Sequence, residues 1–228
     1  MWWKNEIFGG KNVTKIENWP WQTLLLIQLN SGRVIVCGGT IISPRHILTA
    51  AHCAENIDIA NSFVILGTVD LDSDDYVIRT IKSVKVHPED PSENSLVTND
   101  IAVIEMLKKI SFNDKMQPIC LPLSDSMLIK GEGTVLGWGN YNEGKNLSES
   151  ISTVLKETSV PFIDHKLCNN AWKNLIDPDF ELADSQICAG GNARGTARVI
   201  HSNFAHSTLE LRPKKYIIQQ ILTGFIGR

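Results

Sequence analysis

Several features that would assign the chain to a particular class are missing from its 228 residues. The longest apolar run near the start, Leu24 to Ile27, has four residues, far fewer than the roughly 20 that a membrane-spanning helix requires. Residues 1–6, Met-Trp-Trp-Lys-Asn-Glu, lack the basic and apolar regions of a signal peptide. The net charge is only −3, which gives no field for binding nucleic acid or an anionic membrane. We therefore expect a soluble globular protein with neither as a partner.

The cysteines lack the spacing of common metal and redox motifs. The chain contains five of them: Cys37, Cys53, Cys120, Cys168 and Cys188. Because no Cys-x-x-Cys occurs, the usual signal of a zinc ribbon or of thioredoxin-like chemistry is absent. An odd, widely spaced set is typical of two disulfides with one cysteine left over, which indicates an oxidising compartment. Two N-glycosylation sequons, Asn12-Val13-Thr14 and Asn146-Leu147-Ser148, agree with that compartment, whereas the missing signal peptide does not.

The pattern of short apolar runs predicts an all-β fold. At about 100–200 residues per domain, the length allows one large domain or two small ones. The candidate strands are Thr23 to Leu29, Val34 to Val36, Phe63 to Leu66, Val77 to Val86, Ile101 to Met106, Gly133 to Trp138 and Ser152 to Val160. Two helical segments are predicted, Ala50 to Ala54 and Asp164 to Leu175. Many short strands separated by turn residues indicate antiparallel sandwiches or barrels, here in two halves.

The C-terminal tail differs in charge and in pattern. Residues 198–228 hold five Lys or Arg and one acidic residue, a net of +4, whereas residues 1–197 carry −7. Six apolar residues of the tail fall on one helical face: Tyr216, Ile217, Ile218, Ile221, Leu222 and Phe225. We expect an amphipathic helix that docks on the domain or is loosely ordered. A helix lying on a membrane surface is the alternative, with no other support.

One segment is far more specific than any other. It reads Cys37-Gly-Gly-Thr-Ile-Ile-Ser-Pro-Arg-His-Ile-Leu-Thr-Ala-Ala-His52-Cys53, and it resembles the histidine region of trypsin-like serine proteases. Further matches follow in the family's order: Ile7-Phe-Gly-Gly10, Asn99-Asp100-Ile-Ala-Val103, Pro118-Ile-Cys-Leu-Pro122, Gly137-Trp-Gly139 and Gln186-Ile-Cys-Ala-Gly190. The resemblance covers roughly residues 7–196. It implies a chymotrypsin-like double antiparallel β-barrel, with the first barrel at about 20–110, an incomplete second barrel at about 111–196, and a divergent, part-helical basic tail at 197–228.

The resemblance also implies the roles of several residues. A serine hydroxyl becomes a nucleophile only when a neutral imidazole accepts its proton and a carboxylate orients that imidazole. His52 is the implied general base and Asp100 its orienting carboxylate. Taken alone, such a histidine is more often a packed or capping residue, and such an aspartate a turn or cap residue. The resemblance further implies two disulfides, Cys37–Cys53 and Cys168–Cys188, and leaves Cys120 as an unpaired thiol.

The family pattern stops where the nucleophile is expected. Relatives continue from Cys-Ala-Gly to Gly-Asp-Ser-Gly-Gly-Pro, but this chain reads Gly191-Asn-Ala-Arg-Gly-Thr-Ala-Arg-Val-Ile-His-Ser-Asn203. Ser202 lacks the flanking glycines that let the backbone turn and direct two N–H groups at an oxyanion. The family is switched on when cleavage frees an isoleucine amine that pairs with the aspartate before the nucleophile. Ile7 follows Glu6 instead of a basic residue, and that aspartate is missing.

The sequence therefore predicts a serine endopeptidase by descent that is catalytically inactive, its homology ending just before the nucleophile. The rival hypothesis is a non-catalytic homologue that acts as a binding or decoy protein. By resemblance, we expect a protein or peptide substrate or an inhibitor as partner, an extracellular location, and no cofactor or metal. Four aspartates, Asp70, Asp72, Asp74 and Asp75, lie where some relatives hold calcium. A solvated acidic turn is the favoured interpretation, because calcium needs six or more oxygens in a defined cage.

Overall fold

The structure is a computed structural model, and it describes residues 10–88, 99–121, 131–138, 152–175, 178–179, 181–183, 188–189, 207–211 and 216–217. Its strands are β1 (Lys11–Asn12), β2 (Gln22–Gln28), β3 (Val34–Ile41), β4 (His46–Thr49), β5 (Phe63–Leu66), β6 (Val77–Val86), β7 (Ala102–Met106), β8 (Glu132–Gly137), β9 (Lys156–Ile163), β10 (Cys188–Ala189), β11 (Ser207–Leu211) and β12 (Tyr216–Ile217). Its helices are α1 (Ala51–Ala54), α2 (His165–Leu175) and two short 3-10 turns, Ile16–Asn18 and Ile59–Asn61. In the described parts, no helix is both long and apolar enough to cross a membrane.

Six antiparallel strands close into the first barrel, in the order β2-β3-β4-β7-β6-β5. Strand β7 illustrates why its sequence adopts this structure. Ala102, Ile104 and Met106 are buried and alternate with half-buried Val103 and Glu105, the period of two that places one face of a strand in a core. A register shift between Ile81 and Ser83 interrupts the pairing of β6 with β7, and such bulges bend and twist the strand.

The interior of this barrel is tightly filled. Leu25, Ile27, Ile47, Val64 and Ile104 have no exposed surface. Packing is so close at Gly39 that a Cβ atom there would lie 2.7 Å from a methyl carbon of Ile47 and 2.7 Å from the Thr23 hydroxyl. The sequence predicted β5 and β6 with their observed limits, whereas β4 was not predicted.

The second sheet has the order β1-β9-β8-β11-β12, and β10 pairs with β9. Its own apolar clusters are small: one groups Val135, Val160 and Ala189, and the other groups Cys168 and Trp172. Of the two described sets of strands, only the first closes into a barrel. The predicted combination of one complete barrel and an incomplete second one is therefore confirmed.

The prediction of a helix in the tail is wrong where the structure describes it. Tyr216–Ile217 form strand β12, which pairs with β11, and β11 pairs along its whole length with β8. An open strand edge presents a row of unpaired N–H and C=O groups that another segment can satisfy. The alternating sequence Ser207-Thr-Leu-Glu-Leu211 suits pairing with that edge. The helix was predicted from periodicity within the tail alone, which contains no information about the edge of β8. Residues 218–228 of the predicted helix lie outside the described residues.

Tryptophans join the two halves of the molecule. Trp19, Trp21, Trp138 and Leu155 belong to the same buried cluster as the barrel interior. The Trp19 indole N–H donates to a carboxylate oxygen of Glu157 in β9 at 2.8 Å, and the Trp138 indole donates to the Val69 carbonyl at 3.2 Å. These contacts bury apolar surface and satisfy the indole donors, so they hold the second sheet against the barrel.

Candidate functional site

His52 lies in helix α1, which begins directly after the extended residue Ala50 at the end of β4. A disulfide joins Cys53, the next residue, to Cys37 of β3 across a separation of 16 residues. Ala51 and Cys53 are fully buried on either side of it. The helix is therefore fixed to the barrel by covalent and apolar contacts, while the His52 side chain keeps 36% of its surface exposed.

Asp100 lies two residues before the start of β7, next to a tight turn of the backbone. Asn99 has a φ of 60°, in the left-handed region that asparagine adopts more readily than most residues. The Ile101 N–H donates to the Asn99 carbonyl at 2.7 Å, and the His87 N–H donates to the Ile101 carbonyl at 3.0 Å. This turn places the Asp100 carboxylate inside the protein, where the residue is 4% exposed.

The two residues meet through both carboxylate oxygens. The backbone N–H of His52 donates to Asp100 Oδ1 at 2.9 Å, and the ring Nδ1 lies 2.7 Å from Oδ2. A carboxylate oxygen can only accept, so the hydrogen between the two atoms is assigned to Nδ1; in the neutral ring the free electron pair is then on Nε2. That tautomer is the one a general base needs, and the second hydrogen bond prevents the carboxylate from rotating.

Within the described parts of the chain, no hydroxyl forms a hydrogen bond with His52. The stretch in which a nucleophile is expected, Gly191 to Asn203 with Ser202, lies outside the described residues, as does the predicted N-terminal isoleucine, Ile7. What the structure brings together is thus the His52 imidazole and the Asp100 carboxylate. Sequence reasoning missed the turn at Asn99, where the available signal is the asparagine itself, because asparagine tolerates the left-handed region better than most residues.

Besides His52 and Asp100, the predicted site residues are all cysteines. Cys168 in α2 is disulfide-bonded and 2% exposed, and its predicted pairing with Cys188 stays a prediction. Cys120 is free and exposed. Ligand atoms of Cys37, His52 and Cys53 lie within 4.8 Å of one another, but both sulfurs are in the disulfide and cannot act as the thiolates that bind metal. This trio does not suit a metal.

The acidic turn is partly neutralised by a lysine. The Lys115 ammonium forms an ion pair with Asp75, and that hydrogen bond raises the pKa of Lys115. The Asp70 carboxylate accepts from the backbone N–H of Asp72 at 3.0 Å. Two of the four aspartates therefore already have partners within the protein, which agrees with a solvated acidic turn.

Comparisons with known proteins agree with this geometry. The sequence profile described as Trypsin matches residues 7–199. The chain is 31% identical over 208 residues to the CLIP domain-containing serine protease HP8 of Bombyx mori. This alignment covers 83% of this chain and 54% of that protein. It is 30% identical over 200 residues to the serine proteinase stubble of Drosophila melanogaster. That alignment covers 84% of this chain and 24% of that protein. The chain thus spans about half the length of the first relative and less of the second.

Two solved structures resemble the molecule. One, titled "Structure of GrC", has a TM-score of 0.72 at 19% identity and covers 92% of this chain and 86% of its own. The other, the scabies mite inactivated protease paralogue S-D1, has a TM-score of 0.72 at 23% identity and covers 93% and 84%. At these identities the likeness establishes the fold alone. The predicted chymotrypsin-like, all-β architecture is confirmed.

Proposed function

Because the chain belongs to the trypsin family of serine proteases, we propose that it is a non-catalytic member of that family. In this proposal His52 and Asp100 retain the base and its orienting carboxylate, but no serine is activated. The observation that carries the proposal is the sequence after Gln186-Ile-Cys-Ala-Gly190. It continues from Gly191 through Ser202 to Asn203 without the Gly-Asp-Ser-Gly-Gly-Pro that the family has in this stretch.

The chemical consequence is larger than the loss of one hydroxyl. In this family the same segment supplies the nucleophile and the backbone N–H groups that stabilise the oxyanion. Removal of triad members alone leaves about 10³–10⁴-fold catalysis, which comes from the oxyanion hole and from substrate binding. When the hole is lost as well, that remainder has no source. We therefore expect no measurable hydrolysis of peptide bonds.

The experiment is labelling of the full chain with a fluorophosphonate probe, which reacts covalently with activated serines. The matched control is His52→Ala, because it removes the base and keeps every serine. We expect no label on either protein, while trypsin treated in parallel is labelled. Labelling of the chain that His52→Ala abolishes would prove an activated serine and overturn the proposal.

Partner binding is the second candidate function, as in the rival hypothesis of a binding or decoy protein. The closed first barrel supports it, because a filled interior keeps the face around His52 and Asp100 in a fixed shape without the missing segment. The expected partners are proteins, peptides or inhibitors of the kind that trypsin-like proteases contact. The purified chain should then be monodisperse and resist limited proteolysis within residues 20–110. Rapid cleavage throughout that range would argue against a binding role.

We also propose an extracellular location. The disulfide between Cys37 and Cys53 and the disulfide-bonded state of Cys168 support it, because disulfides form and persist in oxidising compartments and are rare in the cytosol. Fractionation of the producing cells tests it. Chain found in the cytosol with Cys37 and Cys53 reduced would contradict this location.

A further inference from the structure

Asn12 lies in a sequence that N-linked glycosylation can use. Asn12-Val13-Thr14 matches the acceptor pattern Asn-X-Ser/Thr. Asn12 and Thr14 are exposed, whereas Val13 between them is 4% exposed. The Val13 N–H donates to the Leu155 carbonyl at 2.8 Å. The backbone is therefore held by Val13, and the two residues that define the acceptor face outwards.

The hydrogen bonding of Asn12 leaves its reactive nitrogen available. The Lys156 ammonium donates to Asn12 Oδ1 at 3.0 Å. A lysine ammonium has only donors, so the contacted atom of the amide must be its oxygen and the other atom must be Nδ2. Among the described residues, no hydrogen bond uses that Nδ2. A sugar attached there would leave the contact with Lys156 in place.

The position of Asn12 in the fold also suits a bulky group. Strand β1 pairs with β9, Asn12 lying opposite Lys156, and β1 ends the strand order of the second sheet. A strand at the edge of a sheet can pair with another chain, and proteins commonly obstruct such edges. A glycan at this position would obstruct the edge without displacing any buried side chain.

From these observations we propose that Asn12 is a site of N-linked glycosylation. In the transfer, Asn12 Nδ2 attacks the anomeric carbon of a polyprenyl-diphosphate-linked oligosaccharide. The new bond joins nitrogen to carbon, the bond from that carbon to the phosphate oxygen breaks, the lipid diphosphate leaves, and a base of the transferase takes one amide proton. The proposal requires the extracellular location proposed above and is independent of whether the chain is catalytic.

The test expresses the full chain behind a cleavable secretion signal in insect cells, with Asn146→Gln to remove the other sequon. Both the secreted chain and the chain retained in the cells are treated with a peptide N-glycosidase and mapped by mass spectrometry, so poor secretion does not hide the result. The enzyme converts a glycosylated asparagine to aspartate, which marks the site. Two matched variants keep Asn12 itself: Thr14→Ala breaks the acceptor pattern, and Thr14→Ser preserves it.

We expect the Asn146→Gln chain to lose the mass of one glycan on treatment, with aspartate found at residue 12. Thr14→Ala should abolish this shift, and Thr14→Ser should retain it. Unmodified Asn12 in both fractions would overturn the proposal. So would a glycan that persists in Thr14→Ala. None of these results depends on catalysis, so the failure of this proposal is distinguishable from failure of the proposed lack of activity.

Discussion

Replacement of both Cys37 and Cys53 by alanine should lower the free energy of unfolding by about 3 kcal/mol. The disulfide closes a loop across 16 residues, and in the chain-entropy model a cross-link of that span restricts the unfolded chain by about 3 kcal/mol at 25 °C. The two cysteines are 2% and 0% exposed, so alanine introduces no buried polar atom. A change of this size reduces the folded-to-unfolded ratio by about two powers of ten.

The measurement is equilibrium unfolding in urea, followed by tryptophan fluorescence, because Trp19 and Trp21 are buried against the barrel interior. The double variant should also have a larger m-value, since an unfolded chain without the cross-link exposes more surface. Cys120→Ala is the control. That thiol is free and exposed, so its removal should change stability by no more than about 0.5 kcal/mol.

A loss below about 1 kcal/mol in the double variant would refute this reasoning, because it would mean that the cross-link hardly restricts the unfolded state. An equal loss in Cys120→Ala would also count against it. In that case the effect would come from replacing a cysteine and not from opening the loop.

Three further predictions concern single residues. Asp100→Ala should lower the free energy of unfolding by about 2–3 kcal/mol, measured in urea, because it removes two hydrogen bonds between a buried carboxylate and His52; no loss would contradict the role of this contact. The hydrogen bond from Lys82 lowers the pKa of Glu105 below the ordinary glutamate value of 4.5. The stabilisation from this hydrogen bond is therefore present above that value and lost as the pH falls through the folded-state pKa. Glu105→Gln should flatten the dependence of the unfolding free energy on pH below 4.5. Parallel curves of unfolding free energy against pH for the two proteins would refute this. Gly39→Ala should cost about 1–3 kcal/mol in the same urea assay, because its added carbon overlaps two neighbours; unchanged stability would mean that they move aside.

Part of this fold could be predicted from local sequence. Strands β5 and β6 match their predicted limits because turn residues lie on both sides of each stretch of strand-favouring residues. Strand β4, His46–Thr49, was missed because it leads into helix α1 at Ala51 with no turn residues between them to mark its end. Strand β11 was missed for a different reason. It forms on the edge of β8, and a pattern within the tail contains no information about a distant edge.

The site could be predicted only through the resemblance. His52 and Asp100 are 48 residues apart, and neither has a local pattern that distinguishes it from an ordinary capping or turn residue. Their contact depends on closure of the barrel, which brings the start of β7 beside the end of β4. Local periodicity can predict a strand but not which strands become its neighbours, so the geometry of the pair had to come from the fold.

Strand β1, the first that the structure describes, belongs to the second sheet, whose other described strands all begin after residue 131. Strand β1 pairs with β9, and Asn12 and Lys156, which hydrogen-bond across this pairing, are 144 residues apart in sequence. On a ribosome, the barrel strands up to Met106 emerge before β9 exists. Residues 10–14 therefore cannot form their native pairing with β9 until synthesis has passed residue 163, however early the barrel strands fold.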